Sequence, residues 1–489
     1  MRSKKLKFNG SILVIGYGSV SRCTVPLLFK HVRLDPSKVT VMDFSEEINP
    51  APIHELGAHF VRERIERQTM GKQLGKYVGK GDMIIDLAWN IGCTDILQWC
   101  HDNDVLYINT SVELWDPYEG KEHKSPTEQT LYDRHMAMRR MVAGWNDRGH
   151  STTAVLDHGA NPGLVNHFTK EALCDIASRW LEDNKKKTPR RELIAAHLAA
   201  MELNRLAMAL GVCTIHISER DTQISDLPKR VNEFVNTWSI EGLYEEGTSP
   251  AEMGWGTHEK YLPQRASFHR EGPGNQICLA NYGCRTWVKS WVPAGEILGM
   301  VIRHGEAFSI SDYLTVWDND RPQYRPTVHY AYCPCDAAVV SMHELQMRNY
   351  VLQPKLRIMS DEIISGEDQL GCLLMGHDYK AWWIGSILSI DESRRLVPHQ
   401  NATTLQVACS VIAAVCWMIQ NPHKGVCLPD HLPHEEILDL AKPYLGKFIS
   451  RPVDWTPLKN WDNAFQNFGG PRPVDEDVWQ FTTFLARMG

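Results

Sequence analysis

The sequence predicts an α/β fold with an N-terminal Rossmann-type parallel sheet, a second α+β domain, and C-terminal segments that return to the first. Three observations carry this. A short apolar run, Ser11 to Ile15, enters the turn Gly16-Tyr17-Gly18-Ser19-Val20-Ser21, and a helix-compatible segment, Val20 to Val32, leaves it. Strand-like runs then alternate with helix-like segments as far as Leu156, the pattern of a doubly wound sheet. From about residue 190 glycine and proline turns separate strand-like runs, and 489 residues exceed what one core serves, so two domains and a cleft between them are expected. The boundaries read as 1–160, 161–400 and 401–489.

In the first unit, Gly16 permits the tight turn and Gly18 lets the backbone approach a pyrophosphate. Ser19 and Val20 open a helix whose free N–H groups favour an anion. Ser21 stands where a third glycine is usual. The next strand-like run, Lys38 to Met42, ends in Asp43, placed to accept hydrogen bonds from a ribose; the plainer reading, that Asp43 merely ends a strand, stays open. A 2′-phosphate would be repelled there, and Arg62 and Arg64 lie too far along the chain to be its partners, so NAD is expected rather than NADP. Further runs at Met83 to Leu87, Val105 to Ile108 and Thr153 to Leu156 end in polar stretches: Trp89-Asn90, Asn109 to Glu113, and Asp157 to Gly163. Turn residues explain many of these, but their convergence at the strand ends marks the ligand crevice.

In the second half, a helix-like segment spans Glu192 to Leu210. Strand-like runs at Cys213 to Ile217, Asn236 to Ser239 and Trp287 to Trp291 predict a mixed or antiparallel sheet. Ala402 to Ile419, apolar and alanine-rich, reads as a buried helix returning to the nucleotide domain. From Gln420 onward a proline- and tryptophan-rich wrap is expected along the surface, available for self-association and without legible chemistry. Glu219, Trp238, Glu252 and His304 stand in polar, turn-rich surroundings, although a salt bridge, a core tryptophan, a surface charge and a loop histidine would account for them singly.

Composition excludes several classes. The net charge of −7, from 52 basic and 59 acidic residues, argues against a nucleic-acid surface. No apolar stretch approaches the roughly 20 residues of a membrane span, and the start Met1-Arg2-Ser3-Lys4-Lys5 leads into a strand rather than a signal segment. The 13 cysteines are dispersed, and Cys333-Pro334-Cys335 lacks a second pair at zinc spacing, so no metal is expected. An odd number of thiols reads as a reduced, cytoplasmic setting.

Taken together, GANPG at Gly159 to Gly163, ERDTQ at Glu219 to Gln223, FVNTWSIEG at Phe234 to Gly242, PAEMGWGT at Pro250 to Thr257, RPTVHYAY at Arg325 to Tyr332 and QNATTLQV at Gln400 to Val407 resemble bacterial NAD-dependent homospermidine synthases, whose fold is related to saccharopine reductases. The resemblance covers nearly the whole chain. It implies a redox-neutral aminobutyl transfer: putrescine is oxidised to an imine, a second putrescine condenses with loss of ammonia, and the Schiff base is reduced to homospermidine while NAD is regenerated. Spermidine is implied as an alternative donor releasing diaminopropane. A homodimer is also implied, with dimerisation in 161–400.

A diamine is doubly cationic, and burying two ammonium groups without partners would be prohibitive. The resemblance supplies Glu113, Glu219 and Glu252 as carboxylate candidates, Trp238 as a cation–π face, and His304 and Asp368 as substrate-site residues. Of these, His304 is expected to shuttle protons because an unperturbed imidazole titrates near the working pH, and Asn161 to orient the substrate nitrogen or the nicotinamide side. Asn90 stands where the family pattern has an acidic residue, so a neutral hydrogen bond is expected there. The nearest alternative is a saccharopine- or carboxyspermidine-type dehydrogenase with net NAD(P)H turnover, which would need arginine for a substrate carboxylate. A non-catalytic NAD-binding protein is the other.

Overall fold

The computed structural model describes residues 5–145, 151–461 and 472–486; Met1 to Lys4 and parts of the C-terminal wrap lie outside the described residues. Two sheets organise the chain. The first has seven strands, all parallel, in the spatial order Val426–Cys427, Ala154–Val155, Leu106–Asn109, Met83–Asp86, Ile12–Ile15, Val39–Asp43 and His59–Arg62. Ile12–Ile15, Met83–Asp86 and Leu106–Asn109 are buried along their whole length, as strands covered on both faces must be. The chain reverses its direction of progression between Ile12–Ile15 and Met83–Asp86, which makes the C-terminal ends of these two strands the switch point.

The second sheet is mixed and ten-stranded. Its main path runs Ala266–Phe268, Gln276–Tyr282, Pro250–Gly254, Thr327–Cys333, Thr214–Asp221, Glu367–Met375, Ala381–Ser389 and Lys447–Val453, and the hairpin Trp287–Val292/Gly295–Met300 attaches to Thr327–Cys333. Thr327–Cys333 pairs in parallel with Thr214–Asp221, and the other pairings are antiparallel.

The segment Glu192 to Leu210 is two helices rather than one, Pro189–Ala200 and Leu203–Leu210, because Met201 turns left-handed at φ 54° and closes the first. The strand expected at Asn236 to Ser239 lies earlier, at Glu233–Asn236; Ser239 instead caps the helix Ile240–Gly247, leaving Trp238 in the link between them. Ala402–Gln420 is a 19-residue helix long and apolar enough to cross a membrane by composition, contrary to the expectation that no such stretch exists. Of its most apolar 18 residues 89% are buried inside the protein, and it packs against the helix Ser19–His31, so it is a core helix that returns to the nucleotide half. The C-terminal stretch does more than line the surface. Val426–Cys427 extends the first sheet, Lys447–Val453 extends the second, and Trp455, Phe481 and Phe484 are buried in its core.

Candidate active site

A cavity of about 590 Å³ opens between the sheets, bordered by the loops that follow the parallel strands. At its nucleotide end Gly16 has φ +85°, and a Cβ there would come within 2.9 Å of the Leu87 carbonyl and the Ala88 Cα; only glycine lets the two strand ends meet at the switch point. Gly18 borders open space, with nothing within 4 Å of a notional Cβ. The helix beginning at Ser19 has no acidic residue in its first turn and no side-chain cap, so its leading N–H groups and partial positive charge face the cavity. Asp43 accepts from the Tyr17 N–H at 2.7 Å and the Ser45 N–H at 2.9 Å, fixing the glycine turn while bordering the cleft. These features fit a dinucleotide, with a phosphate-binding helix start, free space over Gly18 and a carboxylate for ribose hydroxyls.

One expectation is corrected here. Parallel pairing sets Asp43 beside Arg62, so the arginines are not distant in space. Arg62 donates to the carbonyls of Ser45 and Ile48, whereas Arg64 stacks 3.6 Å over Phe44 at the cleft mouth. Asp43 and Arg64 thus both border the nucleotide end of the cleft.

The other end is acidic. Glu219, on Thr214–Asp221, accepts from the Tyr330 hydroxyl and, at 3.4 Å, from the Asn161 amide. Tyr330 stacks on Tyr332 with ring centres 5.1 Å apart, and Tyr332 receives the Trp238 indole N–H at 2.8 Å. The indole is thereby fixed with its ring bordering the cavity. His304, the residue before helix Gly305–Tyr313, lies between two carboxylates, with Nε2 3.1 Å from Glu246 and Nδ1 3.3 Å from Glu306. Glu113 receives the Ser111 hydroxyl on one oxygen.

Several buried acceptors lack a hydrogen-bond partner: Glu113 Oε2, Glu306 Oε2, Asp368 Oδ1 and Asn90 Oδ1. The cavity is bordered by Asp43, Glu63, Glu113, Glu219, Glu241 and Glu246, against which only Arg64 and His304 are basic among its described lining residues. Burial pushes the Glu219 carboxyl up to about 8, despite the Tyr330 hydrogen bond, and Asp221 adds to the rise. Burial and the neighbouring Glu245 push Glu113 to about 7, with Arg134 and Arg303 opposing. Asp368 is raised well above the usual range by burial and by Glu219 and Asp221. Such a site holds more carboxylates than basic groups.

Trp238, His304, Asn161, Glu219, Glu113 and Asn90 thus meet around one cavity with Gly16, Gly18, Ser19, Val20 and Asp43. Asp368 stands one layer behind, reaching the lining through Thr403, whose hydroxyl it accepts at 2.6 Å. Glu252 does not reach the cleft: both its oxygens are taken by the backbone N–H groups of Leu131 and Tyr132, at 2.9 and 2.8 Å, so it caps the helix Leu131–Ala143. His304 is not the neutral imidazole its ordinary pKa would imply. Burial works to lower it, but Glu306 and Glu246 outweigh burial and hold it well above 6.5 as an imidazolium. Sequence reasoning missed Glu246, Glu306, Tyr330 and Thr403. Tyr330 and Thr403 stand within two of the motif strings already noted, and Glu306 follows His304 by two residues.

Comparison with known proteins is consistent across the chain. Residues 12–155 match the saccharopine dehydrogenase NADP binding domain and residues 159–453 the saccharopine dehydrogenase C-terminal domain. The homospermidine synthase of Blastochloris viridis is 39% identical over 489 residues, covering 98% of both chains. That of Mesorhizobium japonicum is 37% identical over 490 residues, covering 98% of this chain and 97% of its own. The crystal structure of the homospermidine synthase from Legionella pneumophila in complex with NAD superimposes with a TM-score of 0.87 at 37% identity, covering 100% of both chains.

Proposed function

The chain belongs to the homospermidine synthase family, within the saccharopine dehydrogenase fold, and from that premise we propose that it is an NAD-dependent homospermidine synthase acting on putrescine. The observation that carries the reading is a cleft bordered by six carboxylates, one of them Glu113 with a buried oxygen that has no partner, against only Arg64 and His304 as basic groups among its described lining residues. A doubly cationic diamine supplies the missing partners, whereas a substrate carboxylate finds no arginine except Arg64 at the nucleotide end. Spermidine, carrying the same aminobutyl unit, is the alternative donor, releasing diaminopropane.

Gly16, Gly18, Ser19 and Val20 would hold the NAD pyrophosphate and Asp43 the adenosine ribose. When bound, NAD accepts a hydride from putrescine and later returns it to the Schiff base, so the cofactor is unchanged over a cycle. The protein's own task is proton traffic and amine placement. An amine nitrogen must be neutral before its neighbouring carbon can lose hydride, and at pH 7 that deprotonation costs about 4–5 kcal/mol for a free amine. Glu219 is the group we assign to it. An arriving ammonium favours its ionised form, and a carboxyl poised near 8 can take the proton and give it back to the departing ammonia. His304, already protonated, donates and orients. Glu113 and Asn90 accept from the ammonium groups, and the Trp238 face steadies the cationic carbon–nitrogen unit.

Incubation with putrescine and NAD, followed by mass spectrometry, is expected to yield homospermidine and ammonia with no steady accumulation of NADH. Sustained NADH formation would instead identify a dehydrogenase. For Trp238, the Trp238→Leu variant is expected to lose about 2–30-fold in kcat/KM, matching a cation–π contribution of about 0.5–2 kcal/mol. Trp238→Phe should recover part of this. Equal losses of turnover and melting temperature in both variants would return Trp238 to a packing role.

A homodimer is supported by an apolar surface that includes Met347, 84% exposed, and Val351, 62% exposed. Beside it the strand Lys355–Ile358 pairs only with Glu233–Asn236 among the described residues. Ile358 also borders the cleft, so this surface runs to its mouth. All 13 cysteines are free thiols, which supports a cytoplasmic setting.

A further inference from the structure

Three groups that border or adjoin the amine cleft each follow, in sequence, a residue held by one buried cluster. Val112, before Glu113, gives its carbonyl to Arg134 Nη1 at 3.0 Å. Glu245, before Glu246, receives Arg134 Nη2 at 2.5 Å and Arg303 Nη2 on the same oxygen, Oε1. Arg303, before His304, also donates Nη1 to the Gln129 carbonyl at 2.8 Å, next to the helix start that Glu252 caps. Arg134 belongs to helix Leu131–Ala143, Glu245 to helix Ile240–Gly247, and Arg303 to the approach to helix Gly305–Tyr313, so the cluster ties three elements together.

We propose that the Arg134–Glu245–Arg303 triad is the positioning unit of the amine cleft, fixing Glu113, Glu246 and His304 relative to one another and setting, through its surplus positive charge, how readily Glu113 takes an ammonium. This rests on the polyamine reading above. None of the three borders the cavity, so each acts through its neighbour. The planar forks of the two arginines suit the task, because each holds a carbonyl and the Glu245 carboxylate at once, which a lysine cannot match.

The charged and titratable groups facing Glu113 are Glu245, Arg134, Arg303 and Tyr118, with Lys121 beside the triad donating to the Thr248 carbonyl at 3.1 Å. Burial and Glu245 disfavour the Glu113 carboxylate, and the two arginines favour it. Changes to opposite members of the triad must therefore act on Glu113 in opposite directions.

The test is the pH dependence of kcat/KM for putrescine. Below the first break that Glu219 sets near pH 8, Glu113 is expected to give a second, steeper acid limb. Glu245→Gln, which keeps the side-chain shape, is expected to move this lower limb down by about one pH unit, and Arg134→Gln to move it up by about one. Arg134→Lys should keep the limb near its wild-type position while raising KM several-fold and changing kcat less. A limb that stays fixed in Glu245→Gln, or moves the same way in both neutralised variants, overturns the proposal. If Arg134→Gln does not fold, Glu245→Gln alone decides. Absence of putrescine turnover in the wild-type protein would instead sink the polyamine reading, so the two failures are distinguishable.

Discussion

Glu219→Gln is expected to lower kcat for putrescine by about 10²–10⁴-fold, the usual contribution of a positioned acid or base. Glutamine preserves the shape and can still bond Tyr330 and Asn161, but it cannot carry a proton between the amine and the departing ammonia. Removing a buried carboxyl that burial disfavours should not lower the melting temperature of the free protein. The pH dependence follows from the sign of the shift. A carboxyl raised on folding from 4.5 to about 8 contributes stability below the lower value and loses it as pH rises through the upper one. A diamine, which favours the ionised form and stays doubly cationic in this window, should therefore raise the melting temperature more at about pH 8 than at about pH 5. In Glu219→Gln that increment should shrink. A full-sized increment in the variant would show that another carboxyl takes the ammonium.

Gly18→Val is expected to weaken NAD binding at least about 100-fold, roughly 2.7 kcal/mol, while leaving the fold intact. The separation is possible because a Cβ at Gly18 meets no protein atom within 4 Å and the backbone there is extended, so the side chain would project into the space over the helix start where a pyrophosphate belongs. Calorimetry with NAD alongside thermal melting of the free protein checks both halves. A variant that binds NAD normally would move the phosphate site away from this turn. The same substitution at Gly16 would be less informative, since its Cβ would collide with the Leu87–Ala88 backbone and disturb folding and binding together.

The nucleotide half was legible because its signals are local. A four-residue apolar run, a glycine turn and an acid at the next strand end lie close enough in sequence for spacing to dictate geometry. The amine half depends on which way side chains point. Glu245 and Glu246 are adjacent on one helix, and helical rotation turns the first toward Arg134 and Arg303 and the second toward His304. No spacing rule separates them beforehand. Glu252 looked like a cleft residue in a glycine-rich string, yet its place on Pro250–Gly254 aims it at a helix start formed 120 residues earlier. His304 was read with an ordinary imidazole pKa because its two carboxylates come from different parts of the chain, one of them on the helix it precedes. Long-range pairing decided these cases.

The last strand of the parallel sheet, Val426–Cys427, sets a timetable. Ala154–Val155 leaves the ribosome roughly 270 residues, or about 14–54 s of synthesis, before the outer strand that pairs with it. The helix Ala402–Gln420, against which Ser19–His31 packs its apolar face, arrives almost as late. During that interval the nascent nucleotide half carries an open sheet edge and an uncovered helix. The whole second sheet up to Ala381–Ser389 must be made before the first is finished. Nascent-chain chaperones, rather than early domain closure, would have to keep this half from pairing with other chains in the meantime.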